Sequence, residues 1–242
     1  FEDTVHILNV LQGGPSDKAG LQVGDRITRV EQQPVAGNGI TSEKIRSLLR
    51  GQGGSKVTIT VKRDTASIPF TITRGFIPLY ALDAAYMLSP LTGYIRLNKF
   101  SESTYEEFMA SLEKLKEKGM QKLVLDLRDN GGGILDEAVE MADEFLAGDK
   151  LIVYTEGINN PRRDYKCRRR GLFEEGELVL LLNEGSASAS EVLAGALQDW
   201  DRATIIGRRS FGKGLVQEQY TLRDGAALRL TVARYYTPLG RS

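Results

Sequence analysis

The chain has 242 residues, 41% apolar and 26% charged, with Lys plus Arg and Asp plus Glu balanced at 32 each. That length allows one large or two small domains with a real core. The charge balance removes the basic surface expected of a protein that binds nucleic acid or an anionic membrane. No apolar run approaches the roughly 20 residues of a membrane span. A single cysteine, Cys167, excludes an internal disulfide. The chain opens at Phe1 without Met and stops at Gly240-Arg241-Ser242, which reads as a trimmed piece of a longer protein, so the lack of a targeting segment carries no information.

Residues 1–75 form one compositional unit. Residues 5–10 read as a strand, 13–21 as a turn, short helix and turn, and 24–30 as a tight turn into a second strand. Residues 41–50 have the pattern of a capped amphipathic helix stopped by Gly51. Val57, Ile59 and Val61 alternate with Thr58, Thr60 and Lys62, the period-2 signature of a half-buried strand, and 68–73 is its hairpin partner.

The bend at Gly75-Phe76-Ile77-Pro78-Leu79 marks a linker, and residues 76–242 form a second domain in which strands and helices alternate. Residues 93–97 read as a strand. A helix spans 104–118, with Ser103 and Glu106 spaced as a capping box, a stripe at Phe108, Leu112 and Leu115, and a stop at Gly119. Residues 122–127 are a buried strand, and 134–146 a second helix. Residues 151–154, 178–182 and 203–206 are further strands, and the alternation predicts a mostly parallel sheet. Residues 156–176 break the rhythm with six basic side chains from Arg162 to Arg170. They read as a solvated loop, or else as a place that holds substrate carboxylates or a neighbouring subunit.

Two segments carry chemistry. Asn183-Glu184-Gly185-Ser186-Ala187-Ser188-Ala189-Ser190-Glu191 leads from a strand into a helix with apolar spacing at Val192, Leu193, Ala196, Leu197 and Trp200. Small residues on such a turn set a hydroxyl at a helix N-terminus, where unpaired N–H groups favour developing negative charge. Taken alone, Ser188 is also an ordinary capping residue. With His6 as the only histidine, a Ser-His-Asp triad is disfavoured and lysine becomes the natural base, provided burial lowers its pKa. The second segment, Ser210-Phe211-Gly212-Lys213-Gly214, supplies one, with Phe211, Leu215 and Val216 to surround it. Residues 207–214 nearly spell a phosphate-binding loop, but Gly214 replaces the required Ser or Thr and a strand follows. Asn130-Gly131-Gly132-Gly133 joins a strand to a helix; it is either a tight turn that needs glycine or a source of oxyanion donors. No His/Cys/Asp/Glu spacing suggests a metal site.

G-S-A-S-A-S-E at 185–191, F-G-K-G-x-V-Q at 211–217, Leu125-Asp126-Leu127-Arg128-Asp129-Asn130-Gly131-Gly132-Gly133 and Tyr235-Tyr236-Thr237-Pro238 together resemble the carboxyl-terminal processing (tail-specific) serine proteases. Residues 1–75 resemble a PDZ domain, incomplete at its N-terminus because the loop that clamps a peptide's terminal carboxylate would precede residue 1. The resemblance implies an α/β fold: a ClpP/crotonase-like core of stacked ββα units after the PDZ domain. It implies Ser188 as nucleophile, Lys213 as general base and Gln217 as the residue orienting that lysine. The oxyanion hole would be the Ala189 amide with one from the Gly132-Gly133 turn, and Asp199 matches an acidic position that affects activity in some members. Ile45, Leu48 and Leu49 are candidates for one wall of a PDZ groove, with core packing the competing use of the same stripe.

The implied enzyme cleaves proteins or peptides near their C-termini without a cofactor, in an extracytoplasmic setting such as a bacterial periplasm or cell envelope. Substrate C-termini are its expected partners, with a homo-oligomer possible through segments outside these residues. Two other readings stand beside it: a latent or inactive core that serves as a PDZ-type binding module, and an acyl-CoA-processing crotonase relative, for which no CoA-phosphate signature is present.

Overall fold

The structure is a computed structural model that describes residues 4–37, 39–77, 80–223 and 225–242. The chain divides into two compact units, Phe1–Leu79 and Tyr80–Ser242.

The first unit is an antiparallel sheet with two helices. Its strands are β1 (Val5–His6), β2 (Arg26–Val30), β3 (Gln33–Pro34), β4 (Lys56–Arg63) and β5 (Ala66–Thr73), and its helices α1 (Pro15–Lys18) and α2 (Ser42–Leu49). The order is β1-β2-β4-β5, with β3 paired to β2. The alternation read at Val57, Ile59 and Val61 buries all three against Leu21, Ile27, Val30 and Ile72. Helix α2 begins at Thr41, whose hydroxyl accepts from the Lys44 amide at 3.2 Å. Buried Asp25 accepts two hydrogen bonds from Arg63, at 2.7 and 2.8 Å, fastening the 20–25 turn to β4.

The second unit contains β6 (Leu82–Met87), β7 (Thr92–Leu97), α3 (Thr104–Glu117), β8 (Lys122–Asp126), α4 (Leu135–Asp143), β9 (Leu151–Gly157), β10 (Asn160–Lys166), β11 (Glu177–Leu182), α5 (Ala189–Asp199), β12 (Thr204–Gly207), β13 (Leu215–Thr221) and β14 (Ala227–Tyr236). One sheet runs β12-β11-β8-β7-β6; its pairs are parallel except β6 with β7. Leu123, Leu125, Leu178 and Leu180 alternate inward from β8 and β11 onto Phe108, Leu112, Met141, Phe145, Leu193 and Leu197 of the helices. Burying each such side chain contributes about 1.5–3 kcal/mol, before the entropy that ordering costs.

The second sheet, antiparallel in the order β10-β9-β14-β13, was not foreseen. Half of the stretch read as a solvated loop is its hairpin β9–β10. Two of the six basic residues there are paired within the chain: Arg162 to Asp164 at 2.7 Å, and Arg169 to Glu140 at 2.7 Å and Glu144 at 3.2 Å. The capping box expected at Ser103 and Glu106 is also absent. The Ser103 hydroxyl donates to Glu107 instead, at 2.7 Å, and Glu107 accepts the Ala81 and Leu82 amides, each at 2.9 Å. The one cysteine, Cys167, is buried beside Asp143, and burial pushes its thiol up to about 12. No helix among the described residues is long and apolar enough to cross a membrane.

Candidate active site

Three adjacent parallel strands deliver the candidate residues to one place. The register sets Leu181 opposite Asp126, and Leu182 opposite Gly207, so β8, β11 and β12 end side by side. In open α/β sheets, ligand sites form outside the carboxyl ends of such strands. The turn after β8 carries Gly132 and Gly133. The turn after β11 carries Ser188, and the segment after β12 carries Lys213.

Ser188 is the N-cap of α5 and adopts φ 57°, ψ −114°. A positive φ on a residue with a side chain costs about 1–3 kcal/mol and persists only where the surroundings enforce it. The surroundings here do. The Asn130 carbonyl accepts the Ala187 amide at 3.0 Å and the Ser190 hydroxyl at 2.9 Å. The Ser186 hydroxyl donates to the Leu127 carbonyl at 2.8 Å. Buried Asn183 accepts the Asp129 and Gly185 amides, at 2.8 and 3.0 Å, and donates to the Asp129 carboxylate at 2.8 Å. The turns after β8 and β11 are thus bolted together.

Gly132 lies directly against the turn that carries Ser188. A Cβ added there would fall 2.5 Å from the Ala187 carbonyl oxygen and 2.8 Å from both the Ala189 nitrogen and the Ser188 Cβ. Both Gly132 (φ 89°) and Gly133 (φ 147°) occupy backbone conformations that glycine alone adopts freely. The Gly132 amide donates to Asn130 Oδ1 at 2.9 Å. Among the described residues, the amides of Gly133 and Ala189 have no acceptor.

Sequence reading passed over Glu191. Its carboxylate accepts four hydrogen bonds: from the Ser188 amide at 2.9 Å, the Ser210 hydroxyl at 2.7 Å, the Gly212 amide at 2.6 Å and the Lys213 amide at 2.8 Å. One side chain therefore joins the start of α5 to the lysine segment. Both Ser188 and Lys213 line a cavity of about 400 Å³, walled on its apolar side by Val153, Leu182, Val192 and Ile205.

The remaining candidates are distributed as follows. Lys213 is exposed, and no hydrogen bond joins it to Ser188 Oγ among the described residues. The apolar neighbours expected to wrap it do not: Phe211 is 69% and Leu215 39% exposed. Gln217 is exposed on β13 opposite Thr231 and outside the cavity lining. Asp199 sits in the last turn of α5, far from Ser188 along the helix. It accepts the Leu239 amide at 2.8 Å and pairs with Arg241. In the first unit, Ile45, Leu48 and Leu49 all pack on the core. Only Leu49 lines the cavity of about 730 Å³ there, beside Arg46 and Arg50. Among the described residues no cluster of His, Cys, Asp or Glu could hold a metal.

Burial alone would raise the Asp199 carboxyl, but hydrogen bonds from Thr237, the Leu239 amide and Arg241 outweigh it and hold it below the usual range. A depressed folded-state pKa means stability that is present above the unfolded value, about 3.9, and is lost as pH falls through the folded one. Asp199→Asn is therefore expected to lower the melting temperature at pH 7. The gap to the parent should close as pH drops from about 4 toward 2. A gap independent of pH over that range would refute the ionic account.

Comparison with known proteins decides the family. Residues 91–242 match the model of peptidase family S41 and residues 6–63 that of the PDZ domain. The chain belongs to peptidase family S41. This S41 chain is 36% identical over 244 residues to a carboxy-terminal-processing protease of Bartonella bacilliformis, covering 98% of the chain and 55% of that relative. It is 37% identical over 239 residues to a carboxyl-terminal-processing protease of a Synechocystis species, covering 97% and 55%. It spans about half the length of these curated relatives. Among solved structures, the photosystem II D1 C-terminal processing protease aligns with a TM-score of 0.60 at 33% identity, covering 99% of this chain and 65% of that one. A putative S41 protease from Bacteroides fragilis aligns at 0.67 with 19% identity, covering 98% and 67%, a likeness of fold alone. The S41 fold, with a PDZ unit before an α/β core, is the architecture the resemblance implied.

Proposed function

We propose that this chain is the catalytic part of a carboxyl-terminal-processing serine protease, with Ser188 as nucleophile and Lys213 as general base. The observation that carries the reading is Glu191, whose carboxylate holds the amides of both residues at the rim of one cavity. Ser188 Oγ attacks the carbonyl carbon of a peptide bond and gives its proton to neutral Lys213 Nζ. The carbonyl π pair moves to oxygen, where unpaired backbone N–H groups of the Ala189 and Gly132-Gly133 turns meet it. The C–N bond then breaks as the leaving nitrogen takes the proton, and water releases the acyl group by the reverse sequence. Gln217 would orient the lysine, and Asp199 acts at a distance by pinning the 239–241 segment to α5. Substrates are proteins or peptides engaged near their C-termini, with the PDZ unit recognising them or gating the site. On the resemblance alone we propose an extracytoplasmic setting.

A second reading, a latent state of the same enzyme, is favoured by exposed Lys213 and by Gln217 outside the cavity. Desolvation favours the neutral amine that a base must be, so catalysis requires the 208–217 segment to close over Ser188 and take Nζ out of water. The test is covalent labelling with a serine-directed fluorophosphonate, mapped by mass spectrometry. Modification of Ser188, slowed by a peptide that occupies the same cavity, is expected. Labelling of another serine instead would overturn the assignment.

A further inference from the structure

We propose that Asn130 is a positioning residue of this site, one that selects Gly133 rather than Gly132 as the second oxyanion donor. The inference rests on the serine-protease reading above. Asn130 is wholly buried; its amide donates to the Leu127 carbonyl at 3.2 Å, and four further hydrogen bonds hold it. Its Nδ2 donates to the Leu97 carbonyl at 3.0 Å, anchoring the residue to the end of β7. Its Oδ1 accepts the Gly132 amide at 2.9 Å. Its carbonyl accepts the Ala187 amide and the Ser190 hydroxyl, from either side of the nucleophile.

Each bond has a consequence for charge on a substrate oxygen. The Gly132 amide, occupied by Oδ1, cannot turn toward that oxygen without abandoning its partner. Gly133 is held in a parallel bridge to Phe100, formed by the Phe100 amide to the Gly132 carbonyl at 3.0 Å and the Ile134 amide to the Phe100 carbonyl at 2.9 Å. In such a bridge the central residue's own N–H points away from the partner strand. The Gly133 amide is thereby left free, one residue from the α-carbon that packs on Ser188, and Ala189 supplies the other free amide. The Asn130 carbonyl ties this turn to the turn that carries Ser188. Preorganised donors act only if they already sit where the charge develops, and Asn130 is the residue that fixes the glycine turn against the serine turn.

The test uses Asn130→Asp, which keeps the size and the acceptor for Gly132 but cannot donate to Leu97, and Asn130→Ala. In a folded variant kcat should fall roughly a hundredfold, with KM changed less than about threefold. Affinity for a peptide aldehyde, whose adduct with Ser188 carries the tetrahedral oxygen, should fall in parallel, while affinity for the matching uncleaved peptide is kept. The pH profile should keep its position, because the base is untouched. Full kcat in a folded variant, or equal loss of affinity for the aldehyde and the peptide, would overturn the proposal. If neither variant folds, an amide-to-ester replacement at residue 133 removes the N–H alone and should reproduce the kcat loss. The same replacement at residue 132 should cost kcat only through a loosened turn, so a larger loss at 132 than at 133 also overturns it. Failure of the wider reading is separate: it would appear as cleavage that survives Ser188→Ala.

Discussion

Replacing Ser188 with Ala, or Lys213 with Ala, is expected to lower peptide-bond cleavage by roughly four orders of magnitude or more. Neither change should unfold the protein, because Lys213 is exposed and Ser188 only half-buried. The Ser188 variant should even gain stability if Gly replaces Ala, since glycine adopts φ 57° without the strain serine bears there. In the proposed mechanism Ser188 and Lys213 act as one unit, so the double variant should lose little more than either single one. Lys213→Arg should be as inactive as Lys213→Ala, because a guanidinium cannot give up its proton near neutral pH. Appreciable turnover by purified Ser188→Ala, measured with a quenched fluorescent peptide, would remove the nucleophile from the mechanism. Additive losses in the double variant would show that the two residues do not share a step.

The second large effect is expected at Glu191. Its carboxylate satisfies three amides and one hydroxyl drawn from two separate turns. Hydrogen bonds to a charged group contribute about 1.5–3 kcal/mol each, and the donors left behind are costly to orphan. Glu191→Ala should therefore free the 210–213 segment from α5 and lower kcat by at least about a hundredfold. Glu191→Gln should be intermediate: its carbonyl oxygen can serve the Ser188 and Lys213 amides, while its NH₂ cannot accept from Gly212 or Ser210. Hydrogen exchange should show the Gly212 and Lys213 amides losing protection in Glu191→Ala while the amides of β8 and β11 keep theirs. A variant with unchanged exchange and full kcat would show that the lysine segment is held by something else.

Much of the core was legible because its chemistry is periodic. The apolar runs at 122–127 and 178–182 became adjacent parallel strands, and the glycine-rich and serine-rich turns after them met because parallel neighbours end together. The antiparallel sheet was only partly legible: 151–154 and the segment after Gly214 read as strands, but 151–154 was assigned to the parallel sheet and its partner β10 was missed. Strand β10 reads Asn-Pro-Arg-Arg-Asp-Tyr-Lys, mostly solvent-exposed, and without a buried face there is no alternation to detect. Asn130 was seen only as part of a glycine turn, since nothing local reveals that its side chain reaches the Leu97 carbonyl. Glu191 was missed although a signal existed: Ser188 and Glu191 have the spacing of a capping box, and Glu191 does accept the Ser188 amide. The same spacing at Ser103 and Glu106 misled, because Glu107 was better placed to take the amides of Ala81 and Leu82.

Helix α5 is pinned at both ends by residues that follow it in the chain. Its first turn holds Ser210, Gly212 and Lys213 through Glu191, and its last turn holds Leu239 and Arg241 through Asp199. A ribosome delivers these residues only after the helix itself, at roughly 5–20 residues each second. A nascent chain that has exposed Ser188 therefore still lacks Lys213, the base we propose, and later still lacks the segment that braces the far end of the helix. On the roles proposed here, the order of translation delays assembly of the site until the segments after α5 have been made.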